Sequence, residues 1–504
     1  MIASYATLLT DEQVEQIHEA SLEILEDVGL LVRNETARRR LIRHGCPADS
    51  ESHIVKFPRR VVEQFRAAYP QTFSFYGRDP RYDRTIPDDG PLIMTGSSAP
   101  NIIDPETGRE RRARSDDMAR IAHLFNELSD LDLFSVSVLC DDAPAEHFSL
   151  SRYYPALKNT VKPVRGNVPN VEEAQKIIKL GMRVAGGEAA YRERPLITHH
   201  YCAVVSPLAM DFDSTELLLW LTENGYPGYA TIVPNAGLTS PLTLLGTVAQ
   251  GNAEFLAWAT LKQMIRPGAE LIYSVLPTVG DMRTGAYAPG GIETGMMAMA
   301  FAQMARFYKV PCAGYVGLTN SKLVDAQAGF EKGMSPTAGL LAGLDLMNMA
   351  GLIDALMAFD FAMMVIDNEI AEMIKRMKRG LEFSRENLAL ASIAEAGPAG
   401  MFLDKPHTLE RMTTCAVLPT VADRDSRQTW LENGGLDAQS KAMQRVGQIL
   451  AQGNTAVFSA EMDAQIRAEF EGLVAGDSRP LPGWRSSAAV PSRERTRRRR
   501  KHPR

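Results

Sequence analysis

Short apolar runs alternate with longer segments rich in small residues through the middle of the chain, from about residue 116 to residue 378. A short apolar run bounded by turn residues is typical of a buried strand, and a longer segment with apolar positions at helical spacing is typical of a helix. The pattern therefore predicts about eight strand–helix units. The strands are expected in FSVSVLC (ending at Cys140), PVRGNV (Val168), LITHHYCAVVS (Ser206), YATIVP (Pro234), LIYSVLP (Pro277), CAGYVG (Gly317), GLDLMNMAG (Gly351) and, more weakly, FAMMVID (Asp367).

About eight such units is the number found in a TIM-type (β/α)8 barrel. Periodicity alone equally supports a doubly wound parallel sheet, because both folds bury parallel strands between helices. In both folds, ligands bind where the strands end at their carboxyl side. Polar residues that follow the predicted strands are therefore the first candidates for a functional site.

The regions on either side of these units differ in pattern. The first is predicted to begin with a helix at Asp11, a candidate N-cap after Thr10, that ends at Gly29. Apolar residues recur there at helical spacing: Val14, Ile17, Leu22 and Leu25. Beyond Lys378 the pattern is helical and charged. The predicted division is an N-terminal accessory α+β region (1–115), the strand–helix region (116–378), a helical C-terminal extension of the same catalytic unit (379–475) and a disordered basic tail (476–504).

Polar residues are concentrated between Gly314 and Gly351, where a predicted strand passes through a loop into a predicted helix. Such clustering is typical of the active face of a barrel or open sheet, because a simple connection does not require so many ionisable and amide groups. The alternative is a loop closed by its own hydrogen bonds, without a ligand. The residues concerned are Thr319, Asn320, Lys322, Asp325, Gln327, Glu331 and Lys332.

The charge is unevenly distributed along the chain. The 55 Lys and Arg residues against 61 Asp and Glu give a net charge of −6. The last segment, RERTRRRRKHPR, contributes +7, and subtracting +7 from −6 leaves −13 for the rest. An acidic body argues against nucleic-acid binding, which needs clustered cations. An arginine run flanked by proline is more often disordered than a specific binding segment.

Other sequence features favour a cytoplasmic protein that does not enter a membrane. No apolar run reaches the roughly 18 residues that a membrane span requires, and the first residues do not resemble a secretory signal. The five cysteines form no CxxC pair, which suits reduced thiols. No metal site is predicted, since His199 and His200 are neighbours on a strand and face opposite sides.

Several segments resemble the trimethylamine methyltransferase family, whose members move a methyl group from an amine to the cobalt of a corrinoid protein. The similarity runs in the family's order from about Leu8 to Leu450. The stretch DAQAGFEKG from Asp325 resembles the segment that carries pyrrolysine in the trimethylamine enzymes. Further similar segments are LTDEQVEQIHEASLEILEDVGLLV, FYGRDP, NIIDPETGRERRARSDD, NAGLTSPLTLLGTVAQGNAEFLAW, VIDNEI and EAGPAGMFLDKPHTLERM.

The resemblance implies the TIM-type barrel and a corrinoid-dependent methyl transfer. The DxHxxG signature of cobalamin-binding domains is absent, since DKPHTL at Asp404 has neither the spacing nor the glycine. We therefore expect no cofactor bound in this chain and a corrinoid (cobalamin) supplied by a partner protein. Pyrrolysine is also missing, because the residues after Lys332 are ordinary: Gly333, Met334, Ser335 and Pro336. This departure implies a quaternary amine such as glycine betaine, carnitine, proline betaine or choline.

Three acidic residues are the candidate catalytic groups: Glu254, Asp325 and Glu331. Gln250 and Glu254 are expected one turn apart on one face of a helix, where a carboxylate among apolar neighbours must be paired or face a cavity. For Asp325 and Glu331 the alternative is an internal ion pair with Lys332. Binding roles are favoured over proton transfer for all three, because a quaternary amine leaves without accepting a proton.

The candidate substrate-binding residues are aromatic and amide side chains. Aromatic faces attract quaternary ammonium groups, and Tyr229 and Phe361 lie in or beside predicted strands, although core packing is the alternative for both. His200 is a candidate for orienting a substrate carboxylate or, alternatively, a satisfied core histidine. Amides at strand ends serve equally well in turns. The amide candidates are Asn167, Asn235, Gln250 and Gln327.

The sequence thus predicts a methyltransferase that moves a methyl group from a quaternary amine to the cobalt(I) of a separate corrinoid protein. One alternative is a methyltransferase that uses a tertiary methylamine or another methyl donor without pyrrolysine. A second is a non-catalytic protein that binds quaternary amines, and a third is an unrelated TIM-barrel lyase. A homo-oligomer is compatible with the sequence.

Overall fold

Eight parallel strands close into a barrel in the computed structural model, which describes residues 4–481. The strands are hydrogen-bonded to one another in chain order, and the last pairs with the first through Leu346 and Leu92. A parallel bridge between Met94 and Leu133 joins the first strand to the second and closes the ring. The barrel strands are β1 (Leu92–Thr95), β2 (Phe134–Ser135), β3 (Val164–Asn167), β4 (Ile197–Tyr201), β5 (Gly228–Ile232), β6 (Tyr273–Val275), β7 (Cys312–Gly314) and β8 (Leu346–Ala350).

A long helix follows each strand and covers the outside of the barrel. The helices are α1 (Ser115–Glu127), α2 (Phe148–Asn159), α3 (Val171–Ala185), α4 (Phe212–Asn224), α5 (Leu244–Ile265), α6 (Ile292–Tyr308), α7 (Ala326–Ala342) and α8 (Phe361–Arg379). The outer faces of the strands pack against them, as Phe134 of β2 does against Phe125 of α1, with ring centroids 5.2 Å apart. The TIM-type barrel that the family resemblance implies is therefore confirmed, and the doubly wound sheet is excluded.

Seven of the eight predicted strands are confirmed, and the assignment of FAMMVID as the eighth is wrong. This segment begins α8, whose N-cap Asp360 accepts a hydrogen bond from the backbone N–H of Met363 at 2.8 Å. Its apolar residues then continue at helical spacing as far as Arg379. The remaining barrel strand is β1, whose residues Leu92–Thr95 lie within the region 1–115 that is predicted to be accessory.

The N-terminal region packs a helix, Asp11–Glu23, against the barrel helices α5 and α6. Its N-cap is Thr10, one residue before the predicted one, and a π-helical turn carries it on to Gly29. The expected ending is confirmed: Gly29 has a φ of +77°, and a Cβ there would lie 2.4 Å from the carbonyl oxygen of Val55. The other regular elements before β1 are Leu30–Val32, Glu35–Arg43, Ile54–Val55, Arg59–Arg66, Phe73–Phe75, Pro80–Tyr82 and Arg84–Ile86.

Short strands in the loops extend the barrel at the carboxyl ends of its strands, and helices follow α8. The short strands are Asn101–Ile103, Glu110–Arg112, Val204–Val205, Ala209–Met210, Asn235–Ala236, Thr278–Asp281, Ala286–Ala288, Leu352–Ile353 and Ala358–Phe359. The helices of the C-terminal extension are Leu390–Ala396, Pro406–Arg411, Arg427–Glu432, Ala438–Ala451 and Ala460–Glu469. Most of the predicted basic tail, residues 482–504, lies outside the described residues.

Candidate functional site

The direction of Arg165 in β3 follows from its neighbour Gly166. A Cβ on Gly166 would lie 2.5 Å from the hydroxyl oxygen of Tyr153 in α2, so Gly166 faces outward against this helix. Successive residues of a strand face opposite sides, and Arg165 therefore faces the barrel interior. Ser135 and Thr198, its register partners on the neighbouring strands, share this face.

The barrel interior is unusually polar. The pairing of Thr231 with Ser274, of Ser274 with Ala313 and of Ala313 with Leu346 carries the inward face round to β8. Asn348, two residues beyond Leu346, consequently also faces inward. Branched aliphatic residues usually fill the interior of such a barrel. Here its inward-facing residues include Ser135, Arg165, Asn167, Thr198, His200, Tyr229, Thr231, Ser274 and Asn348.

Arg165 is fully buried and contacts four hydroxyl groups. Its Nε donates to Tyr229 at 3.1 Å, and one Nη donates to Tyr315 at 2.7 Å. The other Nη donates to Ser135 at 3.0 Å and to Ser97 at 3.4 Å. We call these five residues the Arg165 cluster. Ser97 and Tyr315 follow the carboxyl ends of β1 and β7, so the cluster lies at the end of the barrel where ligands bind.

His200 stands beside this cluster with both ring nitrogens hydrogen-bonded. Nδ1 lies 2.7 Å from Oδ1 of Asn167, and Nε2 lies 2.7 Å from the hydroxyl of Thr231. The ring also makes an edge contact with Tyr229, at a centroid distance of 5.2 Å. Burial, and then the charge of Arg165, lower the pKa of His200 well below its usual range. The imidazole is therefore neutral, and its nitrogens already have partners within the protein.

Gln250 and Glu254 meet on one face of α5, as predicted, and fasten the turn after β4. The carboxylate of Glu254 accepts hydrogen bonds from the hydroxyl of Ser206 at 2.6 Å, the backbone N–H of Leu208 at 2.9 Å and Nε2 of Gln250 at 3.0 Å. Burial raises the pKa of Glu254, and these hydrogen bonds oppose the rise. None of its partners belongs to the Arg165 cluster.

Asn235 lies after β5, where its carbonyl closes a turn and its buried side-chain oxygen lacks a partner in residues 4–481.

Glu331 of α7 joins the loop after β7 to a pocket. Its carboxylate accepts hydrogen bonds from the hydroxyl of Thr319 at 2.5 Å, the backbone N–H of Asn320 at 2.8 Å and Nε2 of Gln327 at 3.0 Å. The carboxylate remains partly exposed and lines a pocket of about 250 Å³ between α6 and α7. The other lining residues are Gly290, Gly291, Ile292, Phe330, Met334 and Ser335.

The remaining predicted residues of the β7 loop have other partners. Asp325 is the N-cap of α7, and its pKa is lowered by hydrogen bonds from the backbone N–H of Ala328 and the hydroxyl of Ser321. The alternative of an ion pair between Lys332 and Asp325 or Glu331 is wrong. Lys332 is fully buried and instead lies 3.2 Å from Asp367 of α8.

Phe361 stands apart from these groups, at the beginning of α8. It is buried and contacts Phe359 edge to face, with centroids 6.1 Å apart. The candidate residues thus fall into three groups and one separate ring. Asn167, His200 and Tyr229 lie in the barrel interior; Asp325, Gln327 and Glu331 lie after β7; and Asn235 lies after β5, with Gln250 and Glu254 in α5.

Comparison with known proteins places this barrel in a family. The family model described as trimethylamine methyltransferase (MTTB) matches residues 2–476. The chain belongs to the trimethylamine methyltransferase family.

Two relatives within the trimethylamine methyltransferase family match nearly the whole chain. A glycine betaine methyltransferase of Desulfitobacterium hafniense strain Y51 is 31% identical over 92% of this chain and 96% of its own length. A trimethylamine methyltransferase MttB of D. hafniense strain DSM 10664 / DCB-2 is 32% identical over 88% of each chain. Among solved structures, a dihydropteroate synthase of Coxiella burnetii aligns with 61% of this chain and 99% of its own, at 10% identity and a TM-score of 0.37.

This member of the trimethylamine methyltransferase family contains candidate site residues that sequence reasoning missed. Arg165, Tyr315 and Asn348 face the barrel interior or its mouth, and none was a candidate. A signal existed for two of them: an arginine within PVRGNV and an asparagine within LDLMNMAG interrupt otherwise apolar strands. A buried strand carries such a group only where a partner or a ligand satisfies it.

Residues 4–481 of this family member contain neither a candidate metal-binding cluster nor a helix that could span a membrane. In that range, no three side chains of His, Cys, Asp or Glu come together in a way that could hold a metal ion. No helix within the same residues combines the length and apolar character needed to cross a membrane.

Proposed function

We propose that this protein moves a methyl group from a quaternary amine, of the glycine betaine type, to the cobalt(I) of a corrinoid carried by a separate protein. Membership of the trimethylamine methyltransferase family supports a methyltransferase that acts on methylated amines. The similarity to a glycine betaine methyltransferase supports the quaternary substrate.

One observation carries the choice of a quaternary amine: in the barrel interior, the pKa shifts of His200 and Tyr229 both disfavour proton donation at neutral pH. His200 is neutral because its pKa is lowered by burial, and burial raises the pKa of the Tyr229 hydroxyl. Arg165 keeps its proton at any physiological pH. A tertiary or secondary amine needs activation as a leaving group, whereas a quaternary amine leaves as a neutral tertiary amine.

The proposed reaction transfers one carbon atom and no proton. The bond between nitrogen and the methyl carbon breaks, and its electron pair stays on the departing amine. The new bond to carbon is made with the electron pair of cobalt(I), which is oxidised to cobalt(III). The role of this chain is to bind the amine, exclude water and point one methyl group at the mouth of the barrel, where a corrinoid protein docks.

Glu331 is the candidate that best suits the cationic end of the substrate. Its carboxylate is partly exposed to the pocket between α6 and α7, and the half-exposed ring of Phe330 lines the same pocket. Quaternary ammonium groups are attracted both to carboxylates and to aromatic faces. Glu254, by contrast, is fully buried and has all its partners within the protein.

The test is to mix the purified full chain with reduced cobalamin and single amines, and to follow the cobalt(I) absorbance. We expect loss of cobalt(I) and formation of methylcobalamin with a quaternary amine but not with trimethylamine. Turnover of trimethylamine alone would contradict the quaternary substrate and support the tertiary alternative. Calorimetric binding of a quaternary amine without any turnover, also with candidate corrinoid proteins added, would support the non-catalytic binding protein.

A further inference from the structure

The barrel mouth contains two buried arginines whose charges are not balanced by a carboxylate. Within residues 4–481, no carboxylate lies within the 4.0 Å of an ion pair from Arg165 or from Arg152 of α2. Arg152 is 4% exposed and donates to the hydroxyl of Ser98 at 3.1 Å and to the carbonyl of Val138 at 3.2 Å. A buried charge is costly unless it is paired. Arg165 contacts Ser97 and Arg152 contacts Ser98, so the two guanidinium groups bind consecutive residues.

Each hydroxyl group around Arg165 has a hydrogen left to donate. Ser97, Ser135, Tyr229 and Tyr315 each accept a hydrogen bond from Arg165, so each retains a hydroxyl hydrogen to donate. None of these four hydrogens is donated to another protein atom in the part of the chain that the structure describes. Hydrogen bonds from groups polarised by a cation are stronger when the acceptor is an anion.

Asn348 provides an independent sign of a missing partner in the same interior. Its side chain faces inward from β8 and is 1% exposed. Neither its Nδ2 nor its Oδ1 has a hydrogen-bond partner within residues 4–481. An unpaired buried amide is unfavourable, and a polar ligand in the interior would satisfy it.

We infer that the Arg165 cluster binds the carboxylate of a zwitterionic substrate, in which a quaternary ammonium group and a carboxylate belong to one small molecule. This inference rests on the proposed function and specifies its substrate class. The cationic end cannot lie against Arg165, because like charges repel. The loop after β7 carries Tyr315 of the cluster and, four residues later, Thr319, which binds Glu331. One loop therefore connects a positive group in the interior with a negative group at the rim.

The first part of the test compares ligands that share a trimethylammonium group. Glycine betaine and carnitine carry a carboxylate, whereas choline and tetramethylammonium do not. Calorimetry with the full wild-type chain should show binding of at least one carboxylated compound about tenfold or more tighter than choline. Equal or tighter binding of choline, or no binding of either carboxylated compound, would overturn the inference.

The second part locates the effect at Arg165. Arg165→Gln keeps an amide donor but removes the charge, and it should weaken binding of the carboxylated compound by about ten- to a hundredfold while leaving choline within about twofold. Arg165→Lys keeps the charge but lacks the paired N–H donors of the guanidinium. Its affinity for the carboxylated compound should fall between those of the wild type and Arg165→Gln. Tyr315→Phe removes one hydroxyl and keeps the ring, which provides a milder variant should Arg165→Gln fail to fold.

A matched control is Lys262→Gln in α5. Lys262 is also fully buried, but its Nζ donates to the carbonyl of Gly228 at the amino end of β5, away from the mouth. We expect lower stability and an unchanged preference for carboxylated ligands. An equal loss of preference in this control would show that Arg165 acts only through stability and would overturn the inference.

The inference and the proposed function can fail separately. Methyl transfer from a carboxylated quaternary amine that is insensitive to Arg165→Gln would uphold the proposed function and overturn the carboxylate site. Carboxylate-selective binding without methyl transfer would uphold the site and contradict the proposed function.

Discussion

At the scale of single residues, two adjacent histidines of β4 show how much a strand's alternation determines. His200 faces the interior and has a partner for each ring nitrogen. His199 faces outward, is fully buried, and neither of its ring nitrogens has a partner within residues 4–481. Burial lowers the pKa of His199 to about 4, so the ring is buried in its neutral form.

This burial makes stability depend on pH. The unfolded chain protonates His199 near its usual pKa of 6.5, whereas the folded protein takes up this proton only near pH 4. The stability contribution is thus complete above pH 6.5 and is lost as the pH falls, by about 2 kcal/mol at pH 5. His199→Leu should raise the free energy of unfolding at pH 5 by about this amount and change it little at pH 8, as measured by urea titration.

The exposed His44 offers a control for this experiment. Its ring contacts the carbonyl of Arg40 on the surface, so His44→Gln removes a histidine without changing a buried position. An equal effect of both substitutions would show that the pH dependence does not arise from buried imidazole.

Two glutamates with three hydrogen-bond donors each allow a test of which one serves the substrate. Glu254→Gln should cost about 1–3 kcal/mol of stability, because one of its partners loses an acceptor, with methyl transfer per folded molecule unchanged. Glu331→Gln should instead raise KM for the amine, since it removes the negative charge beside the pocket. Both are measured by cobalt(I) loss and urea unfolding. A fall in kcat of about a hundredfold or more for Glu254→Gln would show that the sequence-based catalytic role is right.

At the scale of secondary structure elements, Lys332 connects α7 to the two last strands of the barrel. Its Nζ donates to the carbonyls of Gly317 at 2.7 Å and Met349 at 2.8 Å, and it pairs with Asp367 of α8. Burial raises the pKa of Asp367 to about 6, and the contact with Lys332 opposes this rise. The position of α7, and therefore of Glu331, depends on this buried pair.

Removing one member of the pair should be more harmful than removing both charges. Lys332→Met leaves a buried carboxylate uncompensated and should cost about 3–5 kcal/mol in urea unfolding. The double variant Lys332→Met with Asp367→Asn should lose less free energy of unfolding than the sum of the two single changes, because a neutral amide then replaces the carboxylate. Additive losses would show that the ion pair contributes no coupling between α7 and α8.

The sequence predicted seven of the eight barrel strands but placed the eighth in the wrong segment. Seven strands were found because a buried parallel strand is a nearly continuous apolar run. The strand β1 was missed because LIMT has only four residues, and FAMMVID was misread because a short apolar run does not separate strand from helix. The N-cap at Asp360 was the available signal for a helix.

The site was predicted in part, for a physical reason. Asn167, His200 and Tyr229 were predicted because they lie in predicted strands or at their ends, and the structure brings the three together in the barrel interior. Arg165 was missed because its role depends on hydroxyls from four other segments of the chain, which only the closed barrel brings together. Asp325 was predicted as a candidate catalytic group, although its carboxylate is the N-cap of α7.

At the scale of the whole molecule, the C-terminal extension packs against α1 and α2. Lys158 of α2 lies 3.1 Å from Asp463 of the extension, and just beyond the extension the backbone N–H of Asp477 donates to Asp116 of α1 at 2.8 Å. The guanidinium of Arg78, from the N-terminal region, lies 4.6 Å from the ring centre of Phe458. The extension therefore joins the first helices of the barrel to the N-terminal region.

Truncation should reveal that this extension is required for folding. A chain that ends at Arg379 exposes the apolar faces of α1 and α2 and should lose the cooperative thermal transition seen by circular dichroism. A chain that ends at Leu481 keeps every contact described here and should melt as the full chain does. Retention of a single sharp transition in the shorter chain would show that the barrel folds independently.

The polar interior of the barrel also has an evolutionary consequence. Large apolar contacts between strands and helices stabilise the sheet from outside the ring, as between Phe134 and Phe125. Inward positions such as Thr198, Ser274 and Asn348 take no part in those strand–helix contacts, so a variant that alters them leaves these contacts in place. A lineage can therefore change which methylated compound it binds through substitutions inside the barrel, while the scaffold is inherited intact.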